Sequence, residues 1–453
     1  MVRYGVKTFT TQPQADTMSN QKNLGYIVNG GKPLCGTVTV SGAKNAATKQ
    51  LVASLLTDED VILNNMPDIG DVEATIELIA GLGVSVKRNG QTVTVNAKSI
   101  KNGDVASAFS RKNRIPILLI GPLLHRFGEA RIPMLGGCKI GARPIDIHLE
   151  GFKKMGAKIE CDEDCYIIKA DKLKAAMIEL PFPSVGATEN LMLAAVKAQG
   201  ITTISNAAIE PEIMDTAKLL QSMGAIINLE ANRTWVIQGV SELNGAEHSI
   251  IPDRIEAASF GIIAPITGGE VFVEDAKQDH LLSYLNALRR VGVPFVIKPE
   301  GILFGHAKKY NPIVLETDVH PGFMTDWQQP FVMLLTQSAG VSIVHETVFE
   351  DRFGYTDALI NMGADIQLHS DCLGSKPCRY QHQNFKHSCI VSGPTPLNAA
   401  DITIPDLRAG FSYILAALMA KGRSHVTGIE HIERGYENII QKLTDLGADI
   451  SRG

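Results

Sequence analysis

An internal repeat constrains the fold of this 453-residue chain more than any other feature of its sequence. Six segments end an amphipathic helical pattern with a glycine and then change to strand-like sequence. Glycine adopts the left-handed backbone that commonly ends a helix, so each glycine predicts a helix end before a strand. They recur at roughly 70-residue intervals, which indicates an array of similar units. These glycines are Gly83, Gly156, Gly224, Gly292, Gly363 and Gly447.

Each unit also contains a second helical segment, which is apolar around its whole circumference. Continuous apolarity of this kind predicts a helix that is buried on most sides. Each unit therefore reads strand–helix–strand–helix–strand, with apolar helices inside and sheets around them. Six units divide most simply into three and three, with a boundary near 249–254. The apolar segments are 45–56, 114–125, 186–200, 253–269, 325–340 and 406–422.

Composition narrows the class of function. The formal net charge is −5, so no general nucleic-acid surface is expected, and an anionic ligand would need local arginines and lysines. No apolar run reaches the roughly 18–20 residues that span a bilayer. Seven cysteines at irregular spacings are typical of reduced thiols and favour a cytoplasmic location. Phosphate-loop and dinucleotide fingerprints are absent from the sequence, and we predict no cofactor.

The segment LGGCKIGARP, residues 135–144, places one thiol in a glycine-rich, cationic loop. Its cysteine, Cys138, follows two glycines and precedes Lys139, with Arg143 five residues further on. A thiol in this setting could be a nucleophile, a proton donor, a metal ligand or an ordinary loop residue. The adjacent positive charge favours the thiolate form.

Further cations lie at positions suited to binding anions. Lys44 and Asn45 begin the first apolar helix, and helix N-termini attract anions. Arg143, Arg408 and Arg434 are far apart in sequence, and their planar guanidinium groups suit carboxylates and phosphates. An isolated arginine is usually a solvated surface charge, so these residues gain meaning only if the fold brings them together.

Eight motifs in order carry a resemblance to a known family. They are SGAKNAA, GGCKIGARPIDIHLEG, SVGATEN, PDRIEA, HPGFMTD, ETVFEDRF, PDLRAG and HIERGYENI, and they run from residue 41 to residue 439. In these motifs the chain resembles the enolpyruvyl transferase superfamily, and within it the branch that uses UDP-N-acetylglucosamine as acceptor. The resemblance implies two inside-out α/β domains, each of three βαβαββ-like repeats, with a cleft between them. It places the first domain at 44–251 and the second at 24–43 plus 252–453. The polar residues 1–23 are predicted to be either a disordered N-terminal extension or the result of an over-called start codon.

The resemblance also implies a reaction. The enolpyruvyl group of phosphoenolpyruvate would pass to the sugar 3-hydroxyl with release of phosphate, by addition and elimination, as the first committed step of peptidoglycan synthesis. Cys138 would then be the general acid at C3, open to epoxide phosphonates of the fosfomycin type, and Asp326 the general base. Catalysis is assigned to Cys138, Lys44, Asp326 and Arg434. Phosphoenolpyruvate would contact Lys44, Asn45, Arg143, Arg408 and Arg434. UDP-N-acetylglucosamine would contact Asn45, Arg114, Arg143, Pro144, Ile145, Asp146, Ile147, Ser184, Val185, Gly186, Asp326 and Val348.

Several of these positions have simpler interpretations. Asp326 precedes a helical segment and could be its N-cap, and SVGATEN could be a plain turn with a cap. By the same resemblance, Asp406 and Glu350 would orient Arg408 and Arg352. Some family members carry a lysine near the position of Phe182, where this chain has no positive charge.

Pro116 follows Arg114, and because proline is tolerated in a first helical turn, we expect Arg114 to keep its place.

Cysteines and histidines outside the motifs suggest metal only weakly. An insertion in the last third contains Cys372, Cys378 and Cys389 with His369, His382 and His387, without the short cysteine spacing of zinc ribbons. Cys161 and Cys165 flank acidic residues in a predicted hairpin. We therefore predict no metal in either place.

Two other functions remain open. One is a paralogue that transfers enolpyruvyl to another nucleotide acceptor, and the other is a non-catalytic regulator that binds a UDP-sugar or a partner protein. A shikimate-type acceptor is disfavoured, because the first loop reads SGAKNAA. Both substrates of the favoured reaction are small molecules. Neither nucleic acid nor membrane is expected as a partner, and the sequence does not indicate an oligomeric state.

Overall fold

The computed structural model describes residues 25–105, 114–134, 145–376, 378–405 and 407–453, without the side chains of 407–409. The predicted extension 1–23 lies outside these residues. Within them, no helix combines the length and the apolar character needed to cross a membrane.

The described residues form helices of two kinds that alternate along the chain. Apolar helices, buried along most of their length, include α1, α3, α5, α7, α10 and α12, as the apolar segments predict. Amphipathic helices α2, α4, α6, α9, α11 and α14 follow them, with one exposed side. In chain order, the helices are α1 (Lys44–Ala53), α2 (Gly70–Gly81), α3 (Ile120–Phe127), α4 (Asp146–Lys154), α5 (Val185–Ala195), α6 (Pro211–Ser222), α7 (Arg254–Gly261), α8 (Ile263–Thr267), α9 (Leu282–Val291), α10 (Gln328–Leu335), α11 (Thr356–Asn361), α12 (Leu407–Met419), α13 (Glu430–Glu433) and α14 (Ile439–Asp445).

Strands surround these helices in small mixed sheets. In chain order, they are β1 (Gly25–Gly30), β2 (Cys35–Thr39), β3 (Val61–Asn64), β4 (Ser85–Asn89), β5 (Thr92–Asn96), β6 (Glu129–Pro133), β7 (Lys158–Cys161), β8 (Cys165–Lys169), β9 (Met177–Glu179), β10 (Ile201–Ser205), β11 (Ile226–Glu230), β12 (Thr234–Gln238), β13 (Ala246–Ser249), β14 (Glu270–Glu274), β15 (Phe295–Lys298), β16 (Gly301–Phe304), β17 (Val314–Glu316), β18 (Gly340–His345), β19 (Asp365–His369), β20 (Ser388–Gly393), β21 (Asp401–Thr403), β22 (Gly422–Thr427) and β23 (Asp449–Arg452). The predicted hairpin at Cys161 and Cys165 is β7–β8.

Six sheets in the described part of the chain share one topology. In five of them a parallel pair is followed by two antiparallel neighbours, as in β9–β10–β12–β11. The sixth, β6–β8–β7, has three strands, and a parallel bridge from Asp104 to Arg131 takes the place of the fourth. Each sheet with its two helices is a βαβαββ unit, so the predicted fold class is confirmed.

Three strands, β1, β2 and β13, pair with strands that are far from them in the sequence. β1 lies antiparallel between β22 and β23, and β2 pairs in parallel with β14. β13 returns to pair in parallel with β3. The N-terminal strands therefore belong to sheets of the second half, whereas the first half closes its own first sheet.

The buried apolar side chains form two clusters. One draws on residues between 43 and 250, and the other on 26–40 together with 257–450. We keep the boundaries 44–251 and 24–43 plus 252–453 as a proposal, which these clusters and the strand pairings support.

The glycines that mark the repeat end their helices as predicted. All six have φ between 91° and 107°. Gly83 is typical: its N–H donates to the Ala80 carbonyl, and β4 begins two residues later. Residues with a Cβ rarely adopt this conformation, which explains the recurrence of glycine.

Candidate active site

A cavity of about 420 Å³ opens between the two clusters, and residues from both line it. Cavities of this size accommodate small-molecule ligands. Ile145 and Asp146 are not among its described lining residues, although the next residue, Ile147, is. Cys138, Arg143, Pro144 and Asp406 lie outside the described residues, as does the side chain of Arg408. The predicted residues that line the cavity are Lys44, Asn45, Arg114, Ile147, Ser184, Val185, Gly186, Asp326, Val348 and Arg434.

Lys44 and Arg434 meet at one carboxylate in this cavity, although 390 positions separate them in the sequence numbering. The Lys44 Nζ lies 2.9 Å from Asp71 Oδ2, and the Arg434 Nη2 lies 2.8 Å from Asp71 Oδ1. Burial alone would raise the pKa of Asp71, but the charges of Lys44 and Arg434 lower it below its ordinary value. Asp71 is therefore an anion that holds two cations on one wall of the cavity.

Sequence reasoning missed Asp71, because an acid in a first helical turn is expected from the helix dipole alone. It is the second residue of α2, and its N–H donates to the Arg434 carbonyl at 3.2 Å. A Cβ on the preceding Gly70 would lie 3.3 Å from Arg434, so this glycine permits close approach of the two segments. The Gly-Asp pair at the start of this amphipathic helix was the available signal.

Arg114 lies beside a buried histidine. Burial lowers the pKa of Arg114, and burial together with the Arg114 charge lowers the pKa of His148 to about 3. The His148 Nδ1 accepts from Asn190 Nδ2 at 3.0 Å, which fixes its ring. Pro116 occupies the first turn of the 3₁₀ segment Ile115–Leu119, where proline is tolerated, and Arg114 remains in the cavity lining as expected.

The SVGATEN loop is both a helix cap and part of the cavity wall. Ser184 is the N-cap of α5, and its Oγ accepts from the Ala187 N–H at 3.3 Å. Ser184, Val185 and Gly186 line the cavity. The plain cap predicted as the simpler interpretation is present, and it directs a helix N-terminus toward any ligand in the cavity.

Glu189 follows in the same helix and has no exposed surface, although it belongs to the cavity lining. Burial raises its pKa to about 7 against the opposing charge of Lys49, whose Nζ lies 3.9 Å from Glu189 Oε2. A carboxyl with this pKa changes charge near neutral pH. Its place inside an apolar helix hid it from sequence reasoning.

Asp326 is not an N-cap, so that alternative is wrong. It lies inside the 3₁₀ turn Thr325–Trp327, whose N-cap is Met324, and the N-cap of the following helix α10 is Trp327. Instead it forms a buried ion pair with Arg352. Glu350 accepts a 3.4 Å bond from the Tyr380 hydroxyl, so the described contacts do not show the predicted orientation of Arg352 by Glu350.

The insertion supplies a cation that the sequence analysis missed. Arg379 lines the cavity, and its guanidinium carbon lies 4.2 Å from the centre of the Phe182 ring. It also donates to the Val348 carbonyl. Positive charge therefore stands beside Phe182 after all, contributed by a residue almost 200 positions away in the sequence numbering. Nothing in the local sequence around Phe182 could have indicated it.

Six repeated units around a cation-lined cavity between two cores are the architecture of the enolpyruvyl transferases. In fold, the chain is similar to the enolpyruvyl transferase NikO from Streptomyces tendae, with a TM-score of 0.84 at 22% identity over 95% of this chain and 99% of that one. It is also similar to EPSP synthase from Acinetobacter baumannii, with a TM-score of 0.70 at 18% identity over 95% and 100% of the two chains.

The chain belongs to the EPSP synthase (3-phosphoshikimate 1-carboxyvinyltransferase) family, whose sequence profile matches residues 28–443. It is 51% identical to the UDP-N-acetylglucosamine 1-carboxyvinyltransferase of Protochlamydia amoebophila, over 94% of this chain and 93% of that protein. The enzyme of the same name from Chlamydia pneumoniae is 49% identical over 92% of each. The second such enzyme of Listeria monocytogenes is 40% identical over 94% and 97%. The expected resemblance and the class of a carboxyvinyl transferase are thereby confirmed.

Proposed function

We propose that this chain transfers the enolpyruvyl group of phosphoenolpyruvate to the 3-hydroxyl of UDP-N-acetylglucosamine, releasing phosphate as the first committed step of peptidoglycan synthesis. The observation that carries the proposal is the full-length similarity to enzymes named for this acceptor, at up to 51% identity. The cavity supports it, because it gathers ten of the predicted contact residues from both halves.

The chemistry sets three requirements. The acceptor oxygen forms a bond to C2 of phosphoenolpyruvate and loses its proton to a base, while C3 gains a proton from an acid. In the second stage, the bond from C2 to the phosphate oxygen breaks, C3 loses a proton, and the double bond re-forms. The site must therefore hold two anionic substrates, remove one proton and deliver another.

Lys44 and Arg434 are suited to bind the phosphate and carboxylate of phosphoenolpyruvate. Both face one cavity and share Asp71, so their charges converge before substrate arrives. Fixed cations of this kind stabilise developing negative charge without reorganisation. We assign Asn45, Arg143 and Arg408 to the same substrate as proposals.

Asp326 is proposed as the base that accepts the sugar hydroxyl proton. It is buried at the cavity wall, where Arg352 pairs with it and fixes its orientation. Cys138 is proposed as the acid at C3. Because a carboxylic acid can perform the same step, proton donation is its primary role, and covalent attack is secondary.

The UDP-sugar is proposed to lie along the wall formed by the first half. Arg114 and the α5 N-terminus at Ser184 to Gly186 would meet its phosphates, and Arg379 would add a charge from the insertion. Uridine and sugar contacts are assigned to Asn45, Pro144, Ile145, Asp146, Ile147 and Val348, with Arg143 and Asp326. A cytoplasmic location stays a prediction from the cysteine pattern.

The test is phosphate release from phosphoenolpyruvate by the purified chain with UDP-N-acetylglucosamine, other UDP-sugars, other nucleotides and shikimate 3-phosphate in parallel. We expect release only with UDP-N-acetylglucosamine, with a new vinyl signal by NMR. Release only with a different nucleotide would identify the paralogue. UDP-sugar binding without release for any acceptor would overturn both enzyme hypotheses and favour the regulator.

A second arm of the test addresses Cys138. An epoxide phosphonate that mimics phosphoenolpyruvate should attach to this thiol when the UDP-sugar is present, and the adduct can be located by peptide mass spectrometry. Cys35 and Cys161, which are exposed thiols elsewhere in the chain, serve as internal controls and should stay unmodified. Labelling of all three to the same extent would contradict a special role for Cys138.

A further inference from the structure

Four side chains of the second half converge at a place outside the residues that line the cavity. His345 ends β18, and Cys372, Cys378 and His387 belong to the connection between β19 and β20. One potential ligand atom from each lies within 4.8 Å of all the others. From this arrangement we propose that these residues form a structural zinc site. It is separate from the residues assigned to the reaction above.

The distances suit a tetrahedral ion after small adjustments. Cys372 Sγ lies 3.3 Å from His387 Nε2. In a zinc site with bond lengths of about 2.0–2.3 Å, ligand atoms lie roughly 3.3–3.8 Å apart. A set within 4.8 Å therefore closes on the ion by side-chain shifts of less than about 1 Å.

His345 presents an unpartnered lone pair to this cluster. Its Nδ1 lies 3.4 Å from Glu316 Oε2, and because a carboxylate only accepts, Nδ1 carries the proton. Nε2 is then an acceptor. This atom is fully buried and has no hydrogen-bond partner among the described residues. A metal ion would satisfy it, which gives the otherwise unfavourable burial a reason.

His387 is fixed in the same tautomer by a different contact. It is fully buried, and its Nδ1 lies 2.8 Å from the Phe385 carbonyl oxygen, which can only accept. The proton is therefore on Nδ1, and Nε2 offers its lone pair toward Cys372. Zinc-binding histidines are commonly oriented in this way, by a carboxylate or carbonyl on the other ring nitrogen.

The Glu316 carboxylate, which orients His345, is itself held in place by neighbouring groups. Glu316 also accepts from the Lys376 N–H at 2.9 Å and from Ser375 Oγ at 2.8 Å. A Cβ on Gly374 would lie 2.2 Å from both Glu316 Oε2 and His345 Nδ1, so only glycine fits against this pair. The segment that carries both cysteines therefore packs around Glu316, the carboxylate that orients His345.

Two thiols and two imidazoles favour zinc over harder cations such as magnesium, which prefer oxygen ligands. Sequence spacing did not reveal the site, because His345 lies outside the insertion and is brought to it by the pairing of β18 with β20. Two zinc thiolate bonds would fix the connection to the sheet. Arg379, adjacent to Cys378, would then be held at the cavity rim.

The first test measures zinc by mass spectrometry in untagged full-length protein expressed with added zinc. We expect about one zinc per chain, and less than about a tenth of that in Cys372→Ser and Cys378→Ser. The matched controls are Cys161→Ser, an exposed thiol elsewhere, and His382→Asn, in the same insertion but outside the cluster. Both controls should retain full zinc. Equal zinc loss in a control and a cluster variant would overturn the proposal.

The second test rests on the wild-type chain, with one variant added for comparison. Zinc is removed from the wild-type chain with a chelator under reducing conditions, and cobalt(II) is added. We expect thiolate charge-transfer bands and the visible bands of tetrahedral cobalt, which Cys378→Ser should weaken. No zinc and no cobalt spectrum in folded protein would refute the site, as would a native disulfide between Cys372 and Cys378 found by peptide mapping.

Discussion

At the residue scale, Asp71 shows how a site for anions can contain an essential anion. Lys44 and Arg434 carry like charges and repel each other, and the carboxylate between them offsets this repulsion at 2.9 and 2.8 Å. Hydrogen bonds that involve charged groups contribute about 1.5–3 kcal/mol each. The position of both cations therefore depends on a residue that need not touch substrate.

We expect Asp71→Asn to lower kcat/KM for phosphoenolpyruvate by about 10–100-fold, because the two cations separate when their shared carboxylate is lost. Steady-state kinetics should show a raised KM for phosphoenolpyruvate. The control is Asp68→Asn, three residues earlier and exposed, which should behave like the wild type. A kcat/KM at or above the wild-type value would show that Asp71 merely competes with the anionic substrate.

Glu189 gives a pH prediction with a definite sign. Its pKa is about 7 in the folded chain, against 4.5 for an unperturbed glutamate, so between these values the folded state keeps a proton that the unfolded state releases. Stability from this group therefore falls as pH rises through that window, by about 3 kcal/mol in total. Glu189→Gln should gain about 2–3 kcal/mol relative to wild type between pH 5 and pH 8.

Urea unfolding at both pH values measures this difference. The exposed Glu179→Gln in β9 is the control and should track the wild type at both pH values. Parallel curves for wild type and Glu189→Gln would contradict a raised pKa.

At the element scale, a substitution at a helix-ending glycine can test the effect of backbone strain without a change in packing. Gly156 has φ of +91°, and a Cβ there would meet nothing within 4 Å. Gly156→Ala should thus lower the free energy of unfolding by about 1–2 kcal/mol through conformation alone. At Gly354, also open within 4 Å but without a positive φ, Ala should be neutral or slightly stabilising. Chemical denaturation of both variants tests this, and equal effects would contradict the strain argument.

Elements were also the scale at which the sequence was most informative. The six glycines and the apolar helices follow from local pattern, because helix ends and buried helices are encoded by neighbouring residues. Family motifs located Lys44, Ser184 and Arg434 in the cavity wall. Asp71, Arg379 and His345 could not be predicted, because their roles depend on partners that only the folded chain brings close. The prediction that Asp326 could be an N-cap was wrong because the helical segment begins one residue before it, at Thr325, so that Met324 is the N-cap.

At the scale of the whole molecule, a buried ion pair connects the two halves. Arg254 on α7 donates through Nε and Nη2 to the two carboxylate oxygens of Glu212 on α6, at 3.0 and 3.1 Å. Their side chains are 2% and 4% exposed. Either charge left without this partner would be buried with only the weaker charge contacts of Lys49, Glu210 and Asp253, which makes the pair a sensitive link between the cores.

Glu212→Gln should therefore cost about 3–5 kcal/mol of stability. The double variant with Arg254→Met should cost less than the sum of the two single changes, because no unpaired charge remains. Urea denaturation of the three variants forms a double-mutant cycle. Strictly additive effects would mean that the two side chains do not stabilise each other.

The pairing of the first strands with the last has a consequence for synthesis on the ribosome. β1 emerges first, yet its neighbours β22 and β23 are the last strands to be made, and β2 waits for β14. The first half can complete its sheets once β13 is released. β2 therefore stays unpaired until β14 is made, and β1 lacks both partners until β22 and β23 are made, beside an already folded first half. Because β1 and β2 complete sheets of the second half, we expect chaperones to bind these strands during translation.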